Sequence, residues 1–274
     1  MSENKWGRCG ASIVAALFFW VANAPSAAWA EMPAGITNTK TITYCASISA
    51  PPLVYMKDGK PVGADIDLGD AIAAKLGLKS KWINMPFAGI IPAVLADHCD
   101  AIISQLYFKP ERLQVLDMVP YMYSQETVIV MADQSPLDEP HQLSGMKVAA
   151  VTATNETSLL AQANDDLKKA GKKPINVVTF PDSPAALQQL QFGQVQAYAI
   201  PYEVGSFYLA TQPGKFKLGA KPYFRVLTDI GINKTHPELR DAISGALTSL
   251  EKDGTYTKIF AKWDLSADTL PLGN

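Results

Sequence analysis

Arg112 stands in the stretch SQLYFKPERL, directly after Pro110 and Glu111. Proline suits the first helical position, where its missing N–H would lack a partner anyway. An acidic residue there complements the positive end of the helix dipole. The two read as the opening turn of a helix, and a cation follows at the end that least favours one. Such a residue gives up stability unless an anion offsets it. A guanidinium matches a carboxylate bidentately, through charge-assisted hydrogen bonds. Thr152 and Thr154 of TATNET sit where a strand gives way to another helix. Their hydroxyls and the nearby backbone N–H groups make an anion-accepting nest, or an N-cap with purely local work.

Other chemistries leave no mark. The chain has no H-E-x-x-H, C-x-x-C, G-x-S-x-G or P-loop motif, the patterns that position zinc, redox thiols, a serine nucleophile or phosphates. No cofactor and no metal are expected. His98, His141 and His236 are scattered and read as surface residues.

The elements that must position Arg112 and the threonines follow from apolar periodicity and turn residues. KTITYCAS reads as a strand, PLVYMKDGKPVGA as a hairpin around Asp58-Gly59, and DIDLGDAIAAKLGL as a helix stopped by Gly77. KSKWINM is a strand, AGIIPAVLAD a helix with Pro92 near its first turn, and CDAIIS a strand before the helix opening at Pro110. A second block alternates in the same way: MKVAAV, NETSLLAQANDDLKKAGK, INVVTF, PAALQQLQFG and VQAYAI. Two helices end the chain, with Leu239, Ile243, Leu247 and Leu250 on one face of the first, and Tyr256, Ile259, Phe260 and Trp263 patterned along the second. Two such blocks imply an α/β protein with two parallel-sheet lobes. Ligands in these lobes bind beyond the carboxyl ends of the strands. That singles out Ser47 to Pro52, Phe87, Ser104 to Tyr107, Thr152 to Glu156 and Pro201 to Glu203.

The termini and composition set the compartment. The first residues carry Lys5 and Arg8, then an apolar run, then Ala28-Trp29-Ala30. A basic start, a short apolar core and a small-residue exit describe a secretory signal peptide. The apolar run is shorter than the roughly 20 residues of a spanning helix, so residues 1–30 are expected to be cleaved after about Ala30, releasing the chain to the periplasm. With 24 Lys and Arg against 26 Asp and Glu, nothing points to nucleic acid or an anionic membrane as partner. In an oxidising compartment Cys45 and Cys99 either pair or stay as two buried thiols.

Over its whole mature length the chain resembles the extracytoplasmic solute-binding proteins of ABC importers, in the polar amino-acid and opine class. GKPVGADIDLGDAIAAKLGL, FAGIIPAVLADHCDAIIS, KPERLQVLDMVPY, LSGMKVAAVTATNET and EKDGTYTKIFAKW carry the resemblance. It implies a two-lobed periplasmic binding protein fold of type II, two crossover strands acting as a hinge, and a ligand cleft between the lobes that closes by hinge bending. The first crossover is expected near 121–127 and the second near 225–229. Lobe one is then discontinuous, residues 31–124 and 227–274, with lobe two between them at 125–226.

The same resemblance assigns the cleft. Arg112 matches the arginine that holds the ligand's carboxylate, or else is a solvated arginine beside Glu111. Gln105 and Tyr107, after Ser104, stand where amino-acid binders carry glycine and threonine, so this corner is remodelled. Tyr107 stacks on the ligand, donates its hydroxyl, or faces the lobe surface. Phe87 matches an aromatic that covers the ligand, or is a core residue at a helix start. The partner aromatic is replaced by Ala50, and Ser47 sits where many members carry a polar reader. Pro201 stands where an Asp accepts from the ligand's ammonium. Glu203, two residues on, substitutes by strand alternation, or is a solvated acid at a helix start; without such a partner Phe87, Tyr107 and Tyr202 pack around a substituted or methylated nitrogen.

The resemblance therefore implies a monomeric, non-enzymatic transport component. It binds a small carboxylated, amino-acid-like solute, opine-like, N-substituted or betaine-like, and delivers it to an ABC permease. Two alternatives stand beside it. One is a cyclohexadienyl-type dehydratase on the same fold, with Glu203 as general acid. The other is a ligand-sensing partner of a membrane receptor.

Overall fold

Both β-rich blocks of the chain run apolar at successive positions, a pattern that needs cover on both faces of the sheet. A computed structural model describes Met1, residues 32–135, Leu137 and residues 140–272. The expected signal peptide, but for Met1, lies outside these, as does the side chain of His141.

Helix α1 (Ala34–Thr39) leads into strand β1 (Thr41–Ala46). A small antiparallel sheet follows, of β2 (Ser49–Ala50), β3 (Val54–Lys57) and β4 (Lys60–Val62). Asp58 and Gly59 join the last two at φ 51° and 74°. Positive φ at both central residues suits a two-residue hairpin. Then come α2 (Ala64–Lys75), β5 (Lys79–Asn84), α3 (Phe87–Leu95), β6 (Ala101–Tyr107) and β7 (Leu116–Met131). The second block is β8 (Lys147–Val151), α4 (Asn155–Lys169), β9 (Asn176–Phe180), α5 (Ser183–Gln191), β10 (Ala197–Pro201), α6 (Tyr202–Thr211) and β11 (Phe216–Leu218). Strand β12 (Tyr223–Asn233) returns to the first block, and α7 (Pro237–Lys252) and α8 (Thr255–Lys262) finish it.

One nine-stranded sheet runs β5-β1-β6-β12-β7-β10-β8-β9, with β11 added beside β7. Strand β7 has 16 residues, about 50 Å at ~3.3 Å per residue, enough to cross two lobes. Its first half pairs with β12 and its second half with β10 and β11. The crossovers expected near 121–127 and 225–229 fall within β7 and β12.

Alternation along the strands builds a core on each face. Val128 and Val130 of β7, Val148 and Ala150 of β8, and Ala197 and Ala199 of β10 pack with Leu160 and Leu167 of α4. Their neighbours Ile129, Ala149, Tyr198 and Ile200 point the other way, onto Leu187 and Leu190 of α5 and Val204 of α6. In the first lobe Ile42, Tyr44 and Ile103 meet Leu68 and Ile72 of α2, Leu239, Ile243 and Leu247 of α7, and Tyr256 and Phe260 of α8. Each fully buried Leu or Ile contributes about 1.5–3 kcal/mol of transfer free energy. The opposite face holds Cys45, Ile90, Val94, Cys99, Ile102, Leu106 and Leu116. Cys45 and Cys99 are joined there as a disulfide, which settles the choice between pairing and two thiols. Trp263, patterned with the last helix, lies just past its end and is only half-buried.

Two local readings change. Pro92 lies in the second turn of α3, not the first; it removes one backbone donor in a helix of nine residues. The helix expected from Pro110 is only a 3-10 turn over Arg112–Gln114. Strand β7 starts at Leu116, so the chain has no room to propagate a helix, and a single turn has little dipole to oppose Arg112.

Candidate functional site

Strands β1, β6, β8 and β10 all end toward the gap between the lobes, and a cleft with about 570 Å³ of empty space, part of it open to solvent, lies there. From the first lobe it is bordered by Ser47, Ser49, Ala50, Phe87, Ser104, Gln105, Tyr107 and Arg112. From the second it is bordered by Val151, Thr154, Asn155, Glu156, Ser183, Tyr198, Pro201 and Val204. Eight of the eleven expected positions are thus brought together: Ser47, Phe87, Ser104, Gln105, Tyr107, Arg112, Thr154 and Pro201. Thr152, Tyr202 and Glu203 do not border the cleft.

Arg112 is 8% exposed. Its Nη1 donates to the Tyr107 carbonyl at 2.6 Å, and the guanidinium lies 5.9 Å from the Phe87 ring centroid. Among the described residues no carboxylate lies within ion-pair distance of it. Burial pulls its pKa down, against the opposing pull of Glu111, Asp229 and Glu156. The guanidinium has five N–H donors and, among the described residues, one hydrogen-bond partner, at the rim of the cleft. The surface reading of Arg112 is therefore replaced by a buried one, and the cause is the pocket made by Phe87 and the β6 exit rather than a helix end.

The remodelled corner is held by a buried network. Gln105 has φ 49°, the left-handed region that costs a side-chain-bearing residue about 1 kcal/mol or more. Its N–H donates to Asp65 Oδ2 at 3.2 Å. Its Nε2 donates to Ser124 Oγ at 3.0 Å and to Glu203 Oε2 at 3.1 Å. The Tyr107 hydroxyl lies 2.8 Å from Ser124 Oγ, so Tyr107 is buried in this network rather than on the lobe surface. Ser124 Oγ donates to Glu203 Oε2 at 2.7 Å, and the Gln125 N–H to Glu203 Oε1 at 3.1 Å. Residues of β6, β7 and α6 are thereby tied together across the crossover.

This network explains why Glu203 is not where strand alternation would put it. Pro201 ends β10 and caps α6, so Glu203 lies in the first turn of a helix. Its carboxylate turns to the crossover strand and its acceptors are taken there. Tyr202 begins the same helix and borders a separate groove with Glu203 and Trp263. The Thr152 hydroxyl donates to the Phe180 carbonyl, which turns it from the cleft. Thr154 caps α4 by position, yet its hydroxyl donates to the Val151 carbonyl.

Burial raises the Glu203 pKa to about 7, with Asp268 adding to the rise and the Ser124 and backbone hydrogen bonds opposing it. Because the folded value exceeds the usual carboxylate value, the folded state binds more protons between about pH 4.5 and 7. Stability is full below that window and falls as pH rises through it, by about 3 kcal/mol from this group. Asp65, raised to about 6 by burial, acts in the same direction. The melting temperature of the unliganded protein is therefore expected to drop between pH 5 and 8, and Glu203→Gln to flatten that drop. Equal slopes for the two proteins would refute the assignment.

Sequence patterning did not single out Ser183, Tyr198 or Val204. Tyr198 lies within an apolar strand and Ser183 at a helix start, positions that carry no chemical signal of their own. Glu156 was legible only as part of the strand-exit segment. Among the described residues no cluster of His, Cys, Asp and Glu is placed to hold a metal, and no helix is long and apolar enough to cross a membrane.

Residues 42–266 match the family described as bacterial extracellular solute-binding proteins, family 3. The lysine/arginine/ornithine-binding periplasmic protein of Escherichia coli (strain K12) is 30% identical over 217 residues, covering 76% of this chain and 81% of the relative. The solved structure of an ancestral arginine-binding protein bound to arginine superposes with TM-score 0.76 at 31% identity, covering 82% of this chain and 98% of that one. The ancestral amino acid-binding protein AncCDT-1, a precursor of cyclohexadienyl dehydratase, superposes with TM-score 0.75 at 25% identity, covering 84% and 97%.

Proposed function

Because the chain belongs to family 3 of the bacterial extracellular solute-binding proteins, we propose that it is the substrate-binding component of an ABC importer. It takes up a small, amino-acid-derived carboxylate in the periplasm and presents it to a membrane permease. The observation that carries this reading is Arg112: a buried guanidinium on the cleft wall, with one carbonyl partner and no carboxylate within ion-pair reach among the described residues. The amino-acid ligands named for the relatives support the ligand class.

The ligand's carboxylate engages Arg112, with Ser47, Ser104 and the Thr154 end of α4 around it. Phe87 covers the carbon skeleton. Gln105, Tyr107 and Pro201 favour a ligand other than a plain L-α-amino acid: opine-like, N-substituted or betaine-like. Closure moves a lobe of residues 125–226 against one of residues 31–124 and 227–274, about β7 and β12. Ligand favours the closed form because it touches both lobes there. Lys109 Nζ donates to Ser158 Oγ at 3.1 Å, a direct bridge between the lobes.

A thermal-shift screen over standard amino acids, opines, betaines and aromatic acids tests this. A true ligand at 100 times its Kd adds about 2.7 kcal/mol, which at this chain length raises Tm by about 5–10 °C. The largest shift is expected among the opines and betaines. No shift with any carboxylate would overturn the reading.

A further inference from the structure

The second lobe and the crossover carry two buried acids to which the carboxylate reading gives no work. Glu126 of β7 is fully buried, and in the sheet it sits opposite Pro201 of β10 on one side and Tyr223 of β12 on the other. Its Oε1 accepts from Asn155 Nδ2 at 3.0 Å. Its Oε2 has no hydrogen-bond partner. Asn155 and Pro201, its immediate neighbours, both border the cleft, as does Glu156, itself 5% exposed. A buried carboxylate oxygen without a donor is costly, and a second buried acid beside it adds repulsion. Both costs vanish when a cation with N–H or polarised C–H groups enters from the cleft.

We infer that Glu126 and Glu156 form a cation subsite on the second-lobe wall of the cleft, which receives the positively charged nitrogen of the ligand whose carboxylate Arg112 holds. The inference rests on the solute-binding reading above and adds to it that the ligand is a zwitterion or carries a net positive charge. Lys109, Arg112 and Glu203 are the other charged groups acting on the pair, and the Tyr107, Tyr198 and Tyr223 phenols feel its charge. Burial first, and then mutual repulsion at Glu126, raise the acids' affinity for protons. Lys109 pulls both acids the other way, Arg112 pulls Glu156, and Asn155 and Thr154 pull through their hydrogen bonds. Burial and repulsion therefore favour a proton on the empty pair and an entering cation opposes it, so cation binding strengthens as pH rises.

Paired probes that differ only in charge test this: glycine betaine with 3,3-dimethylbutanoate, and L-leucine with 4-methylpentanoate, each at pH 6 and pH 8. The member with the cationic nitrogen is expected to bind at least tenfold more tightly than its isostere without one, with the gap wider at pH 8. Calorimetry in buffers of different ionisation enthalpy is expected to read proton release for the cationic member alone. Glu156→Gln should lower that member's affinity at least tenfold and abolish the proton release; Glu126→Gln is the second variant should the first misfold. Equal binding of the two members, or unchanged affinity and proton release in a folded Gln variant, overturns the subsite while leaving a carboxylate-binding protein. Failure of every carboxylate, cationic or neutral, overturns the transport reading and the subsite together.

Discussion

Arg112→Ala is expected to lower affinity for any carboxylated ligand at least 100-fold and to leave a folded protein. Each hydrogen bond between charged groups contributes about 1.5–3 kcal/mol, and a bidentate pair loses two of them. The substitution also removes the bond from Nη1 to the Tyr107 carbonyl and the ring contact with Phe87, so some stability is lost too. Arg112→Lys separates the two losses. It keeps the charge but not the planar fork, so it should recover only part of the affinity. Titration calorimetry on variants whose circular dichroism matches the parent is the measurement. An alanine variant that binds as tightly as the parent would show that the carboxylate sits elsewhere.

Loss of the Cys45–Cys99 bridge should produce the largest fall in stability. The bridge closes a loop of 54 residues in sequence separation, for which the chain-entropy relation gives about 4 kcal/mol. Tm should fall by about 10 °C in the Cys45→Ala/Cys99→Ala protein. The double variant is preferred because a single one leaves a free thiol among Ile90, Val94, Ile102 and Leu116. The bridge also has a bearing on the site. Cys45 lies two residues before Ser47, whose N–H donates to Ser104 Oγ at 2.9 Å, so reduction is expected to loosen two cleft-bordering residues together. A thiol count of two on the denatured, non-reduced mature chain would contradict the bridge.

Much of the frame was legible because it rests on local physics. Period-two and helical apolar patterns mark β1, β8, α4 and α7, and Gly77 and Asp58-Gly59 mark turns by backbone conformation alone. Strand ends in parallel lobes face a cleft, which singles out Ser47, Phe87, Ser104 to Tyr107, Thr154 and Pro201 from the sequence alone. Gln105 is instructive. Its place in a position suited to glycine was visible, but the left-handed backbone and the three hydrogen bonds that hold it there arise from Asp65, Ser124 and Glu203, 40, 19 and 98 residues away.

The misplacements share one cause. The helix expected at Pro110 failed because the crossover strand begins at Leu116, a constraint imposed by the sheet and not by the local residues. Glu203 was read either by strand alternation or as a solvated acid at a helix start; it does lie in the first turn of α6, but buried, with its carboxylate swung to Ser124. Thr152 met the carbonyl of Phe180 on a neighbouring strand.

The sequence by itself therefore determined the α/β alternation and the turns, since each depends on residue type and on spacing within one element, while the family rested on motifs spread along the whole chain. Tertiary structure alone decided where each acid points. Side-chain direction depends on where a strand ends and which distant partner claims each oxygen. Glu203 found three donors at the crossover, whereas Glu126 kept one buried oxygen without a partner.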